Sequence, residues 1–179
     1  VASEFPAVAA AEAADLPELA DVAASTFPLA CPPSATPENI AAFIAENLSQ
    51  QRFRDYLADA DRAVLAARDD GRIVGYVMLI RGVPDDDEVQ QAVTPRPAVE
   101  LSKMYVLADV HGAGVAAALM TAALRHATDL GAKCVWLGVN QQNGRAQRFY
   151  TKHGFTINGT KTFRLGAGIE NDYVMVRPL

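Results

Sequence analysis

Residues 100–155 read ELSKMYVLADVHGAGVAAALMTAALRHATDLGAKCVWLGVNQQNGRAQRFYTKHGF, and two pieces of this stretch decide the fold. The first is a run of strand formers, Glu100 to Leu107, followed by His111-Gly112-Ala113-Gly114-Val115-Ala116 and an alanine-rich helical pattern. A strand that ends in a glycine-rich turn opening into a helix leaves several backbone N–H groups without intrahelical partners, all aimed at one spot. The positive end of the helix dipole adds to them, so the spot favours phosphate or pyrophosphate. Glycine at 112 and 114 removes the Cβ atoms that would hold a phosphate off the backbone. Such a glycine pair is also a common structural cap, and this piece taken alone leaves both readings open.

Two other phosphate motifs fit worse. The chain has no G-x-x-x-x-G-K-[ST], which argues against a nucleotide-hydrolysing loop. Ala117 stands where the third glycine or alanine of a dinucleotide fingerprint would be. No acidic residue follows at the end of a second strand to hold a ribose, because that strand ends in Asn140.

The second piece is the strand Cys134 to Val139 followed by Asn143, Ala146, Phe149, Tyr150, Gly154 and Phe155. With it the chain resembles the GNAT superfamily of acyl-CoA-dependent N-acyltransferases. The family's N-x-x-A-x-x-[FL]-Y-x-x-x-G-F signature is intact in those six residues. Its [Q/R]-x-x-G-x-[G/A] turn is matched by His111 to Ala116, with histidine in place of the usual glutamine or arginine. Both signatures occur in the family's order, and the resemblance covers roughly residues 62 to 165.

The resemblance implies a GNAT fold, a mixed and mostly antiparallel sheet with helices on both faces and a central parallel strand pair splayed for coenzyme A. It implies acetyl-CoA as co-substrate, with the pyrophosphate held by main-chain amides of His111, Gly112, Ala113, Gly114, Val115 and Ala116. Free main-chain groups of Met104, Tyr105 and Val106 would run along the pantetheine arm, one amide polarising the thioester carbonyl. Ala146 and Phe149 count with the cofactor-binding residues. Asn143 would contact the pantetheine, cap the helix that follows, or do both. Tyr150 is the candidate proton donor to the departing thiolate, since a phenol is protonated at neutral pH; a tyrosine merely packed on the sheet is the alternative. Glu100 occupies a place where related enzymes carry a base for the amine, and is otherwise an ordinary strand-end carboxylate.

Around this centre the rest of the chain reads as walls. The start is either irregular or a poorly formed strand over Phe5 to Ala10. A helix is expected over Asp15 to Phe27, capped by Asp15, with Leu16, Leu19, Val22 and Ala23 on one face. Four prolines exclude regular structure from Pro28 to Pro37. A second helix follows to Leu48, capped by Thr36, and a short one over Arg52 to Asp59. Arg62 to Arg68 and Arg72 to Arg81 form a hairpin about Asp70-Gly71. Residues 82–98 are a polar, proline-bounded loop. The main helix spans Ala113 to Leu130 and stops at Gly131. Gly144 to Lys152 is helical, and Thr156 to Leu165 and Glu170 to Val176 complete the sheet. The acceptor pocket is expected from the 28–37 loop, the second helix and the 82–98 loop.

No repeat or linker divides the 179 residues, which read as one domain. A formal charge of −5 argues against nucleic acid and anionic membranes as partners and suits a cationic amine, from a small molecule or a peptide. No apolar run is long enough to span a bilayer. The N-terminus lacks the basic and unbroken apolar regions of a signal peptide. Two cysteines, Cys31 and Cys134, are too few for a disulfide framework or a zinc site. They read as free thiols in the cytoplasm, with no metal and no acyl-cysteine carrier. A homodimer is compatible with all of this. Glu-Leu-Ser-Lys-Met-Tyr-Val and Trp-Leu-Gly-Val resemble the PaiA-like polyamine acetyltransferases, which implies a polyamine or other small amine. A protein N-terminal or lysine acetyltransferase, a drug- or toxin-modifying enzyme and a silent acyl-CoA-binding module are the competing expectations.

Overall fold

The computed structural model describes residues 6–179. Seven strands, β1 (Ala7–Ala10), β2 (Arg62–Asp69), β3 (Arg72–Arg81), β4 (Ala98–Val106), β5 (Cys134–Asn140), β6 (Thr156–Leu165) and β7 (Gly168–Pro178), form one sheet ordered β1-β2-β3-β4-β5-β7-β6. Every pairing is antiparallel except β4 with β5. Six helices accompany it: α1 (Leu16–Ala30), α2 (Pro37–Asn47), α3 (Gln50–Ala58), α4 (Asp87–Ala92), α5 (Val115–Asp129) and α6 (Gly144–Lys152). The expected mixed sheet with helices on both faces is what forms. Phe5, the first residue of the strand expected at the start, lies outside the described residues.

Local chemistry explains most elements. Asp70 and Gly71 take positive φ of 52° and 78°, as a two-residue hairpin turn with right-handed strand twist requires. The Thr36 hydroxyl accepts from the Asn39 amide and caps α2, and Ser49 does the same for α3. On α5, Val115, Leu119, Met120, Ala123 and Ala127 fall on one stripe and are buried against Val74, Val77, Val99 and Leu101 of the sheet. The other face carries α1 and α3, whose Leu19, Ala23, Phe27 and Phe53 cover Ile73, Tyr76 and Met78. Leu119 has no exposed surface. Leu119→Ala is expected to lower unfolding free energy by about 2–5 kcal/mol in urea titration, through lost burial and the cavity left behind.

Several element ends and one cap differ from the sequence reading. The α1 helix continues through Pro28 to Ala30, because proline in the last turn forfeits one hydrogen bond and the Cys31 amide closes the turn on the Pro28 carbonyl at 3.3 Å. Asp15 makes no side-chain cap; its carboxylate accepts from the Glu12 amide at 2.8 Å and pairs with Arg68 at 2.6 Å. The 82–98 segment contains α4, capped by Asp86, because Val89 and Val93 are buried under Trp136 and Val176. The main helix starts at Val115 rather than Ala113, since Gly114 holds φ at 82°, outside helical space.

The β4–β5 pair is what makes room for a site. Its ladder runs only over Ala98–Cys134, Val99–Val135 and Glu100–Trp136. Beyond Glu100 the edge of β4 that faces β5 carries no ladder. A bulge accompanies the departure: Met78 opposes Lys103 while Leu79 opposes Leu101, leaving Ser102 as the extra residue.

Candidate active site

A cavity of about 660 Å³ occupies the splay between β4 and β5. Its lining comes from both faces of the sheet. Val115, Ala116, Phe149 and Tyr150 belong to the α5 side, while Phe27, Phe43, Lys161 and Asp172 belong to the α1–α2 side. Two reactants entering from opposite faces would therefore meet at β4.

At one end lies the glycine turn. Gly112 and Gly114 have φ of 85° and 82°, and a Cβ placed on either would meet nothing within 4 Å, so open space stands over the turn. No side chain caps the helix at Gly114. The first bond into α5 is the Ala118 amide to the Gly114 carbonyl at 3.0 Å, which leaves the amides of Val115, Ala116 and Ala117 without intrahelical partners. Ala113 was expected among the cradle amides; its N–H instead donates to the Val110 carbonyl at 3.2 Å and tightens the turn. The His111 amide is likewise engaged, with the Ala108 carbonyl at 3.3 Å. Its ring works differently. Nε2 lies 3.0 Å from the Val106 carbonyl and Nδ1 lies 3.2 Å from Arg145 Nη2. A carbonyl only accepts and a guanidinium only donates, so the ring carries its hydrogen on Nε2. His111 thus ties the end of β4 to Arg145 of α6, a cation the sequence reading passed over.

Along β4, the side chains of Met104 and Val106 pack into the core beneath α5. The Leu107 amide donates to the Val74 carbonyl at 2.8 Å, so by alternation Tyr105 also turns its main chain to β3. With the Val106 carbonyl taken by His111, the main-chain groups left facing the splay are those of Met104 and the Val106 amide. The Tyr105 ring faces the other side and meets Phe27 edge-on at 6.1 Å.

On α6 the Asn143 side chain accepts from the Ala146 amide at 3.1 Å, so it caps the helix while also lining the cavity. Ala146 and Phe149 pack against the α5 core. Tyr150 sits edge-on to Phe149 at 5.6 Å and to Phe155 at 5.8 Å, and burial pushes its phenol up to about 12.

Opposite these groups, Glu100, Lys103, Lys161 and Asp172 line the cavity. Burial raises the Glu100 carboxyl, with Lys161, Lys103 and Arg62 offsetting part of the effect. Burial lowers the Lys103 ammonium to about 8 and raises Asp172 to about 6.

The acetyltransferase (GNAT) family model matches residues 23–155, well over half of the chain. The chain belongs to the GNAT family. A protein of Mycobacterium tuberculosis (strain ATCC 25618 / H37Rv), named as an uncharacterized N-acetyltransferase, is 62% identical over 165 residues, covering 92% of this chain and 98% of that one. Among solved structures, the PaiA N-acetyltransferase of Thermoplasma acidophilum in complex with coenzyme A superposes with a TM-score of 0.77 at 18% identity, covering 98% of this chain and 100% of that one. The ribosomal-protein-alanine N-acetyltransferase of Brucella melitensis gives 0.68 at 21% identity, with 97% and 99% covered. At such identities these two likenesses speak for the fold. The protein is an acyl-CoA-dependent acetyltransferase.

The acetyltransferase brings the residues singled out along its sequence to one cavity, with Ala113 turned to the support of the turn. On the side of the GNAT protein where an acceptor pocket was expected, the lining differs from the sequence reading. Leu29, Cys31, Phe43 and Leu48 line the cavity, but nothing from 82–98 does. That segment packs on β6 instead, where a Cβ on Gly159 would stand 2.8 Å from the Ala92 methyl. Lys161, Phe163, Glu170 and Asp172 take its place. Their register across β6 and β7 brings them there, and no local motif announces it. Among the described residues, no helix is long and apolar enough to cross a membrane.

Proposed function

We propose that the enzyme, acting as one domain, transfers an acetyl group from acetyl-CoA directly to a small primary amine, with Tyr150 as proton donor and Glu100 as base. The observation that carries this reading is the cavity through the splayed strands, with the glycine turn and Tyr150 on one face and Glu100 on the other. The residues present fit coenzyme A. Uncapped amides of Val115, Ala116 and Ala117 and the positive end of α5 suit a pyrophosphate, with Arg145 alongside. When bound, acetyl-CoA supplies an activated acyl group and a thiolate leaving group.

Glu100 takes a proton from the incoming ammonium, directly or through water, because only the free amine has a lone pair for attack. A main-chain amide of Met104 or Val106 stabilises negative charge on the carbonyl oxygen. As the C–N bond forms and the C–S bond breaks, Tyr150 gives its proton to sulfur. The phenolate recovers a proton from the acylated nitrogen, so one proton is released per turnover. Cys31 lines the cavity too, but burial and the nearby Glu170 push its thiol up to about 11, and it donates to the Phe27 carbonyl at 3.4 Å. A protonated thiol is a poor acyl carrier, which supports direct transfer. Both cysteines are free, which fits a reducing cytoplasm.

Thiol release from acetyl-CoA with a panel of amines and peptides tests the reaction class, and intersecting rather than parallel initial-velocity lines test direct transfer. Glu100→Gln is expected to lower kcat/KM about tenfold at neutral pH. A base must be ionised, so the wild-type rate rises with pH through a point above the ordinary carboxylate range, as the raised Glu100 carboxyl loses its proton. Burial also raises Asp172, to about 6. The limb is assigned to Glu100 by its loss in Glu100→Gln and its persistence in Asp172→Asn.

A further inference from the structure

The acceptor side holds more charge than transfer to a plain amine requires. On the sheet face turned to α1 and α2, Lys103 and Glu100 stand on β4, Lys161 on β6 and Asp172 on β7, with Glu170 beyond it. The ion pairs among the described residues are Arg52–Asp55, Arg62–Asp59, Arg68–Asp15 and Arg72–Asp109, and none of these five groups belongs to one. Asp172 is only 6% exposed, and Lys161 Nζ donates to the Thr162 carbonyl at 3.0 Å rather than to a carboxylate. Between β4 and β7 runs β5, where Asn140 is the partner of Asp172 and Gly138 lies diagonally next to it on the same face. A Cβ there would stand 3.0 Å from Asp172 Oδ2 and 3.4 Å from Lys161 Cδ. The absent side chain therefore leaves a gap flanked by an acid and the stem of a base. Buried charges held apart in this way are costly unless something with both signs completes them.

We propose, on the footing of the amine acetylation above, that the acceptor is zwitterionic: an amine with a carboxylate on a neighbouring carbon, its head over Gly138, its ammonium towards Asp172 and Glu100 and its carboxylate towards Lys161 and Lys103. A polyamine suits this floor less well, because it brings no anion to the two lysines. The wall above the gap is aromatic. Phe27 and Phe43 stack at 4.4 Å, and Phe163 lies 5.4 Å from Phe43. An amino acid with an apolar side chain therefore meets both floor and wall. The amine loses its proton to Glu100 and is acylated with the same bond changes as above.

The test follows thiol release by the intact protein with acetyl-CoA and matched acceptors: L-phenylalanine against phenethylamine, L-leucine against 3-methylbutylamine, with spermidine and a peptide amine alongside. The amino acid of each pair is expected to exceed its decarboxylated partner in kcat/KM by about tenfold or more. Lys161→Glu should invert that ratio, which loss of packing alone would not do. Lys161→Gln should level it, and serves if the glutamate variant does not fold. Gly138→Ala should raise the acceptor KM while leaving the heat-stabilisation by acetyl-CoA unchanged. Faster turnover of the decarboxylated amines, of spermidine or of the peptide overturns the zwitterionic acceptor and leaves amine acetylation standing. Absence of turnover with every acceptor, in a protein that acetyl-CoA still stabilises, overturns both.

Discussion

Tyr150→Phe is expected to lower kcat about 100-fold while acetyl-CoA affinity stays within about twofold, the effect of removing one general acid and nothing else. The substitution deletes only a hydroxyl. The ring keeps its edge-on contacts with Phe149 and Phe155, so α6 stays seated. The anion cradle is main chain of another element and is untouched. With the phenol pushed up to about 12, Tyr150 stays protonated across the range in which Glu100 ionises, so an alkaline fall in rate near 8 would belong to Lys103 rather than to Tyr150. In the proposed mechanism a phenol that weakly acidic gives up its proton because the thiolate forms in the same cavity. Burial raises the basicity of sulfur as it does that of oxygen. Single-turnover kinetics with thermal-shift titration of acetyl-CoA checks both halves, and unchanged turnover in the variant would remove Tyr150 from the mechanism.

The second large effect belongs to the glycine turn. Gly114→Val is expected to raise the Kd for acetyl-CoA about 100-fold or more, close to 2.7 kcal/mol. A β-branched residue at φ 82° is strained by its own backbone, whatever space surrounds it. Its side chain would also project into the open space over the turn, displacing any phosphate from the amides of Val115 and Ala116. Nothing within 4 Å of that position packs against the glycine, so the folded core should survive with a Tm only a few degrees lower. Heat-stabilisation by acetyl-CoA should vanish. If the variant is stabilised as well as the wild type, this turn is not where the coenzyme is held.

The positions of Tyr150 and Gly114 were open to inspection before any tertiary structure, because local spacing encodes them. A hairpin turn at Asp70-Gly71, a cap at Asn143, a five-residue apolar stripe on α5 and a glycine at the mouth of a helix each state their conformation within about ten residues. Even there, which amides remain free depended on detail. Ala113 spends its N–H on Val110 and the Val106 carbonyl is held by His111, because the turn folds back on itself before the helix begins.

Composition and motif were enough for the family, the sheet-and-helix class and the glycine turn that opens α5. The acceptor side came only with assembly. In a strand the side-chain period of two assigns a face but not a neighbour. Nothing near Asp172 or Lys161 says that β7 inserts between β5 and β6 and carries them to Gly138. Nor does anything near Val89 say that α4 will cover Trp136 and leave the wall of the pocket to α1 and α2. Contacts between residues distant in the chain decide such placements, and they exist only once the whole sheet has closed around its core.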